Sequence, residues 1–286
     1  MKTVKYFFQF IFIFFLFIIF KILGLKNSST LASLLFKSIG PFFRSKKLIE
    51  NNILKAFPNI NKDILNQIAT NMWGNYGRIL AEYIFLKNFR RTIPTRNLKI
   101  VGQEILDKIR EEKKPVIFIS GHFNNFELMA MHIEKSGIDL ATIYRPLNNI
   151  FLNTLMEKIR KKYICKNQIK KGFAGSRQLL SFFKNGYSIA LMIDQRVSQG
   201  IKSNFFKYEA YTTTIPAQFV KKFNCKIVPI YIERVGSVNF KLTINNPIEY
   251  SNEYTVKDIT LDLNQRLEKM ILKNPGQWIW SHNRWK

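Results

Sequence analysis

The chain has 286 residues, 47% hydrophobic and 14% aromatic, which is rich for a soluble protein and enough to bury a substantial core. Its 45 Lys and Arg against 19 Asp and Glu give a formal charge of +26, pointing to a polyanionic partner: nucleic acid, anionic lipid headgroups or a phosphorylated substrate. Cys165 and Cys225 lie far apart without C-x-x-C spacing, which excludes a cysteine metal motif and fits a reducing compartment.

From Tyr6 to Phe20 the chain reads Y-F-F-Q-F-I-F-I-F-F-L-F-I-I-F, holding 8 of its 26 phenylalanines. Counted through to Leu25, the run spans about 30 Å as a helix, enough to cross a hydrocarbon core. Lys2 and Lys5 precede it as the basic region of a signal peptide would, yet no small-x-small cleavage site follows directly. A retained membrane anchor over residues 1–28 is therefore expected, either spanning the bilayer or lying in its interface. Basic residues on both flanks leave the orientation open. An anchor joined to a basic domain favours anionic lipid over nucleic acid; zinc-finger spacing, RNP-like aromatics and helix-turn-helix signatures are all absent.

Residues 29–93 read as a helical region, with Leu31, Leu34, Leu35 and Ile39 on one amphipathic face and Gly40-Pro41 as a stop. The longest predicted helix, from about Asn61 to Leu86, contains N-M-W-G-N-Y-G-R-I-L-A-E-Y. Arg78 and Glu82 there have the spacing of a pair across one helix face, and Gly74 and Gly77 mark close packing against another element or the bilayer.

Residues 94–286 read as an α/β domain. Leu98 to Val101 is a short strand and Glu104 to Glu112 a helix. Pro115 to Glu127, P-V-I-F-I-S-G-H-F-N-N-F-E, then gives an apolar strand, a turn at Gly121 and a following helix. His122 falls at the strand's C-terminal end, where open α/β sheets keep their ligand crevices. A histidine and a carboxylate close together suit acyl transfer, because a hydroxyl is a poor nucleophile until an imidazole removes its proton. Asn124 with Glu127 three residues on also fits a helix N-cap and its capping-box partner.

Ile138 to Tyr144 is predicted as the next strand, ending in Y-R-P-L-N-N. Arg145 at its edge suits phosphate or carboxylate recognition, or is simply solvated. Asn149 to Lys161 and Phe173 to Lys184 read as helices, the first ending in a basic cluster with Arg160, the second carrying Arg177. Tyr187 to Ile193 is a buried strand that delivers Asp194-Gln195-Arg196, the third strand end bearing polar groups and so the third wall of one crevice. Gln199 to Tyr208 reads as a loop whose Phe205-Phe206 touches lipid or an acyl chain. After a helix to Phe223, Lys226 to Ile232 and Val238 to Ile244 form an antiparallel pair, and an amphipathic helix covers Asp258 to Lys273. The closing P-G-Q-W-I-W-S-H-N-R-W-K places three tryptophans together, as an interfacial belt or as core packing. His132 and His282 read as structural or surface residues. Neither H-E-x-x-H nor clustered Cys and His is present, so neither a catalytic metal nor a cofactor is expected.

Taken in order, these landmarks resemble the lipid A biosynthesis acyltransferases, the lauroyl/myristoyl type of the lysophospholipid acyltransferase superfamily. The resemblance covers the whole chain: the N-terminal anchor, N-Y-G-R-I-L-A-E, G-H-F-N-N-F-E in place of H-x4-D/E, Y-R-P-L-N-N, D-Q-R with the later G-x-x-x-x-F-F, and the closing P-x-Q-W-x-W-x-H-x-R-W-K. The sequence departs at Asn124, where many members have Gly; at Asn149, where a second Pro is common; at Ile193, where Pro often precedes the Asp; and at Lys207, usually Gly.

The resemblance implies a mostly parallel central sheet flanked by helices, as in glycerolipid acyltransferases, behind an N-terminal membrane helix. It implies transfer of a fatty acyl group from acyl carrier protein or acyl-CoA to a hydroxyl of an anionic, phosphorylated glucosamine-disaccharide lipid. His122 is then the general base and Glu127 the carboxylate holding its imidazole. Arg145, Arg160 and Arg177 are binders of acceptor phosphates, and Asp194 orients one of these groups. The expected location is the cell inner membrane with the catalytic domain facing the cytoplasm, and no nucleic-acid partner. Two rival readings stand beside it: a glycerophospholipid acyltransferase with the same chemistry, and a non-enzymatic, membrane-tethered basic binding protein.

Overall fold

Short apolar runs in the middle of the chain become the strands of one sheet, because residues buried on both faces of a parallel sheet need no polar alternation. The computed structural model describes residues 2–92 and 96–286; the domain boundary expected at 93 and 94 lies outside the described residues. The strands are β1 (Leu98–Val101), β2 (Ile117–Ser120), β3 (Leu140–Tyr144), β4 (Asn167–Lys170), β5 (Ser188–Met192), β6 (Ile201–Phe205), β7 (Tyr208–Thr212), β8 (Ile227–Gly236) and β9 (Asn239–Ile244). Seven of them form a sheet in the order β1-β9-β8-β2-β5-β3-β4, parallel except for the β8–β9 pair. β6 and β7 pair separately as an antiparallel hairpin.

The helices are α1 (Lys2–Ile39), α2 (Lys46–Ala56), α3 (Lys62–Glu82), α4 (Leu86–Thr92), α5 (Gln103–Glu112), α6 (Glu127–Lys135), α7 (Ile150–Tyr163), α8 (Phe173–Lys184), α9 (Ile215–Phe223) and α10 (Val256–Lys273). The fold is therefore α/β with a mostly parallel central sheet flanked by helices, as the sequence predicts, with β4 as an unforeseen edge strand.

α1 changes direction at Gly24, whose φ of 75° and ψ of 168° a residue with a Cβ adopts only under strain. Its first arm is long and apolar enough to cross a membrane, and only 11% of its most apolar stretch is buried. That surface is consistent with a membrane anchor. The arm is tethered at two places. Phe7 and Phe10 meet the ring of Phe151 on α7, with centroids 5.7 and 6.0 Å apart, and Asn149 Nδ2 donates to Tyr6 O at 2.8 Å. Near the turn, Phe17 and Phe20 pack with Ala32 and Ala81.

The second arm of α1 lies along α3. Gly77 allows it, because a Cβ there would overlap the carbonyl oxygen of Ala32, and one at Gly74 would crowd the Ser33 and Lys37 side chains. Of the two readings the glycines allow, another element or the bilayer, the structure shows the first. The expected Arg78–Glu82 helix pair does not form. Glu82 is fully buried and turns away from its own helix face, accepting hydrogen bonds from Arg234 Nη1 and Nη2 at 2.6 and 3.0 Å, Ser29 Oγ at 2.8 Å and Asn125 Nδ2 at 3.1 Å. Arg78 donates to Ser29 Oγ instead, at 3.1 Å.

Two aromatic segments fall inside. Phe205 and Phe206 are buried, so the predicted lipid-touching loop is in fact a hairpin whose apolar tip packs against the C-terminal segment. Of the three closing tryptophans, Trp278 and Trp280 are core residues, edge to face with centroids 4.7 Å apart. Phe206 and Lys207, at the turn of the hairpin, have φ of 51° and 66°, the left-handed region that favours glycine.

Substituting Gly77→Ala should destabilise the protein by ~1–3 kcal/mol through overpacking of the α1–α3 contact. Gly236→Ala, where a Cβ meets open space, should be near neutral. Denaturant unfolding of the detergent-solubilised chain measures both, and equal stability of the two variants would contradict the close approach.

Candidate active site

β2 and β5 are parallel neighbours with Ser120 opposite Met192. Continuing that register two residues past each strand sets His122 beside Asp194, at the C-terminal edge of the sheet. The contact is direct: His122 Nδ1 lies 2.7 Å from Asp194 Oδ1. Asp194 Oδ2 accepts the backbone N–H of His122 at 2.7 Å and the indole N–H of Trp278 at 2.9 Å. One carboxylate thus holds the histidine by ring and backbone at once.

Asp194 has no solvent exposure, while the His122 side chain keeps 22%. Burial alone would raise the Asp194 carboxyl; the charge on His122, its two hydrogen bonds and that of Trp278 outweigh it and hold the group below the ordinary carboxylate value. With Nδ1 turned to Asp194, Nε2 is the nitrogen left to accept a proton, and it has no hydrogen-bond partner among the described residues. The ring of Phe126 stands edge to face against the imidazole, 4.8 Å between centroids.

Glu127 goes elsewhere, which corrects the expected His122–Glu127 pairing. It is the first residue of α6, and its side chain runs toward α7. Oε1 accepts from Arg160 Nε at 2.8 Å and from Tyr83 Oη at 3.2 Å, and Arg160 Nη2 is 2.7 Å away. Burial lowers the Arg160 guanidinium, but Glu127 and Tyr83 more than offset it, so Arg160 stays charged. Burial, reinforced by Glu127, pushes the Tyr83 phenol well up, leaving it a neutral donor. The physical reason for the correction is register: the turn places His122 over β5, and the helix that follows rotates Glu127 to the other side.

The predicted capping box is absent too. Asn124 does not cap α6; it has φ of 45° and donates through Nδ2 to Ile232 O at 3.1 Å and Gln277 Oε1 at 2.6 Å. Its left-handed backbone explains why glycine suits this position and why asparagine can replace it.

The remaining predicted residues separate. Arg145 and Arg177 are both exposed, on the segments after β3 and on α8, Arg177 stacking over Phe173 at 4.5 Å. Arg160 is committed to Glu127 through Nε and Nη2. Trp278 and Tyr83 escaped the sequence reading, since nothing in an isolated tryptophan or tyrosine signals a partner more than 40 residues away. His132 and His282 are structural, as expected: His132 Nε2 lies 2.7 Å from Gln103 Oε1, and His282 Nε2 accepts the backbone N–H of Arg196 at 3.0 Å. No group of three or more His, Cys, Asp and Glu side chains suited to a metal ion is found among the described residues.

Among known families, the one described as bacterial lipid A biosynthesis acyltransferase matches residues 1–286. No curated protein matches the chain.

Burial lowers His132 and His282 to about 4 from the ordinary 6.5, with Lys135 adding to the effect at His132 and Asp194 opposing it at His282. Between those two pH values the unfolded chain binds more protons than the folded one, so stability should fall as pH drops from 6.5 to 4. His132→Gln should flatten this slope in urea unfolding at stepped pH; an unchanged slope would contradict the buried neutral imidazole.

Proposed function

We propose, since the chain belongs to the family of bacterial lipid A biosynthesis acyltransferases, that it moves a fatty acyl group from an acyl carrier protein or coenzyme A thioester to a hydroxyl of an anionic, phosphorylated glucosamine-disaccharide lipid. The observation that carries the mechanism is the 2.7 Å contact between His122 Nδ1 and Asp194 Oδ1, which leaves Nε2 as the base. Nε2 takes the hydroxyl proton, and Asp194 stabilises the imidazolium that forms. The oxygen attacks the thioester carbonyl, the C–S bond breaks, and the proton returns from Nε2 to the thiolate. Enzyme, acceptor ester and free thiol result, without a covalent enzyme intermediate.

Glu127 acts at one remove. It holds Arg160 through two nitrogens and leaves Nη1 for an acceptor phosphate, with Arg145 and Arg177 as further cationic contacts at the same end of the sheet. The exposed phenylalanines of the first α1 arm seat this end of the molecule at a bilayer. Thioester donors are made in the cytoplasm, so the catalytic domain faces the cytoplasm from the inner membrane.

The test is acyl transfer in membranes offered this acceptor and, separately, a lysophospholipid. His122→Ala should lower turnover by about 10²–10⁴-fold, the usual worth of a general base, and Asp194→Asn should fall comparably by releasing the ring. Glu127→Gln should chiefly raise the acceptor KM. Near-full transfer by His122→Ala sinks the mechanism, and preference for the lysophospholipid sinks the acceptor assignment.

A further inference from the structure

The second arm of α1 packs inside out for a helix in water. Ser28, Ser29, Ala32 and Ser33 are buried, the last three against α3, while Leu31, Leu34, Leu35 and Ile39 face outward and are followed by Phe42 at 89% exposure. The sequence groups those four as one amphipathic face, and the structure leaves that face uncovered. Small residues turned to the protein and large apolar ones turned away is the pattern of a helix packed in lipid.

The first arm has two apolar sides. Phe10, Ile13, Phe17 and Phe20, three or four residues apart, pack on the protein, and Phe8, Ile11, Phe12, Phe15, Ile18 and Ile22 form the opposite, open side. This arm is bound along its length. Asn149, the N-cap of α7, donates through Nδ2 to Tyr6 O at 2.8 Å and lies 3.5 Å from the side-chain oxygen of Gln9, the one amide in the Tyr6–Phe20 run. Phe7 and Phe10 meet Phe151, Ile13 and Leu16 pack with Leu155, and Phe17 and Phe20 close against Ala32 and Ala81 beyond the elbow at Gly24. The contacts run from Tyr6 to Phe20, about 20 Å of helix at ~1.5 Å per residue.

A helix held in this way cannot cross a bilayer alone. If its Tyr6 end went to the far side, Asn149 would go with it, and so would the end of β3 at Tyr144. The exposed Arg145 follows Tyr144, and the exposed Lys171 donates its backbone N–H to Tyr144 O at 2.8 Å. Both cations would be drawn into hydrocarbon, where charge is expensive. Laid along the bilayer surface, the same arm sets its open phenylalanines among acyl chains and keeps Arg145, Lys171 and its own Lys2 and Lys5 at the level of anionic headgroups. Protein on one side and lipid on the other also account for an arm that is apolar all round.

We propose that α1 is an in-plane anchor: both arms lie in one leaflet of an anionic bilayer, the chain does not cross, and its N-terminus stays on the face that holds the catalytic domain. How the chain meets a membrane in this way is independent of the chemistry at His122.

Topology is the test. In the full chain, Cys225→Ser leaves only the buried Cys165, and one reporter is added at an exposed position, Thr3→Cys on α1 or Ser251→Cys on the catalytic domain. Sealed membrane vesicles of each orientation are treated with a membrane-impermeant maleimide. Both reporters should label in the same preparation, and neither in the other until detergent opens it. Labelling of position 3 only from the face opposite to position 251, or only after detergent in both preparations, overturns the in-plane anchor. The purified chain is also floated with vesicles of phosphatidylethanolamine and phosphatidylglycerol. Phe12→Asp and Leu34→Asp, one in the open stripe of each arm and both exposed, should each raise the lipid needed for half-binding roughly tenfold, as loss of a buried apolar side chain does. Unchanged binding by both variants overturns the lipid contact, and a fall in particle mass alongside it identifies a second copy of the chain as the occupant of the stripe.

Discussion

Asp194 is the residue on which the site depends. A carboxylate without solvent exposure is tolerated only when its lone pairs are met, and here the ring and backbone of His122 and the indole of Trp278 meet them. The arrangement acts in both directions. The donors keep the carboxylate charged, and the charge holds one imidazole in one orientation with Nε2 free. Trp278 comes from the C-terminal segment, so the last residues of the chain are part of what poises a histidine on its central strand.

A second buried charge organises the rest. Glu82 at the end of α3 receives Arg234 from β8, Ser29 from α1 and Asn125 from the turn before α6. Three segments converge on one carboxylate, each supplying a donor, so the helical N-terminal region is locked to the sheet by polar contacts as well as by packing. The turn between His122 and Glu127 is thus held from two sides, by Asp194 in front and through Asn125 by Glu82 behind. Buried ion pairs add little net stability but make the wrong arrangement expensive. For a loop held at both ends by buried carboxylates, the result is one fixed arrangement of His122.

Glu127 shows how one spacing can be read two ways. Its contact with Arg160 and Tyr83 gives the carboxylate of the H-x4-E stretch a positioning task rather than a partnership with the imidazole. Arg160 in turn sits near the ring of Tyr144, 5.6 Å from its centroid, at the mouth formed by the ends of β3 and α7. The same helix meets the apolar arm of α1 at its other end, where Phe7 and Phe10 touch Phe151. The exposed apolar arm of α1 and the Glu127–Arg160 pair are therefore joined through one helix, α7.

Local chemistry was enough to determine a good deal. The apolar runs specified β2, β5 and β8, the Tyr6–Phe20 stretch specified a long exposed helix, Gly74 and Gly77 announced a close contact, and the strand–turn–helix at His122 placed that histidine at the C-terminal edge of the sheet. Each of these is written in neighbouring residues, through side-chain period, chain length or the space a glycine leaves. What the sequence left open was every pairing across distance. That His122 meets Asp194 rather than Glu127 follows from β5 lying beside β2 in register. The order of strands is decided by which apolar faces fit together, not by their order along the chain. The same holds for Glu82, whose partner is Arg234 and not the helical neighbour Arg78, because burial gave the carboxylate a choice that spacing alone could not reveal.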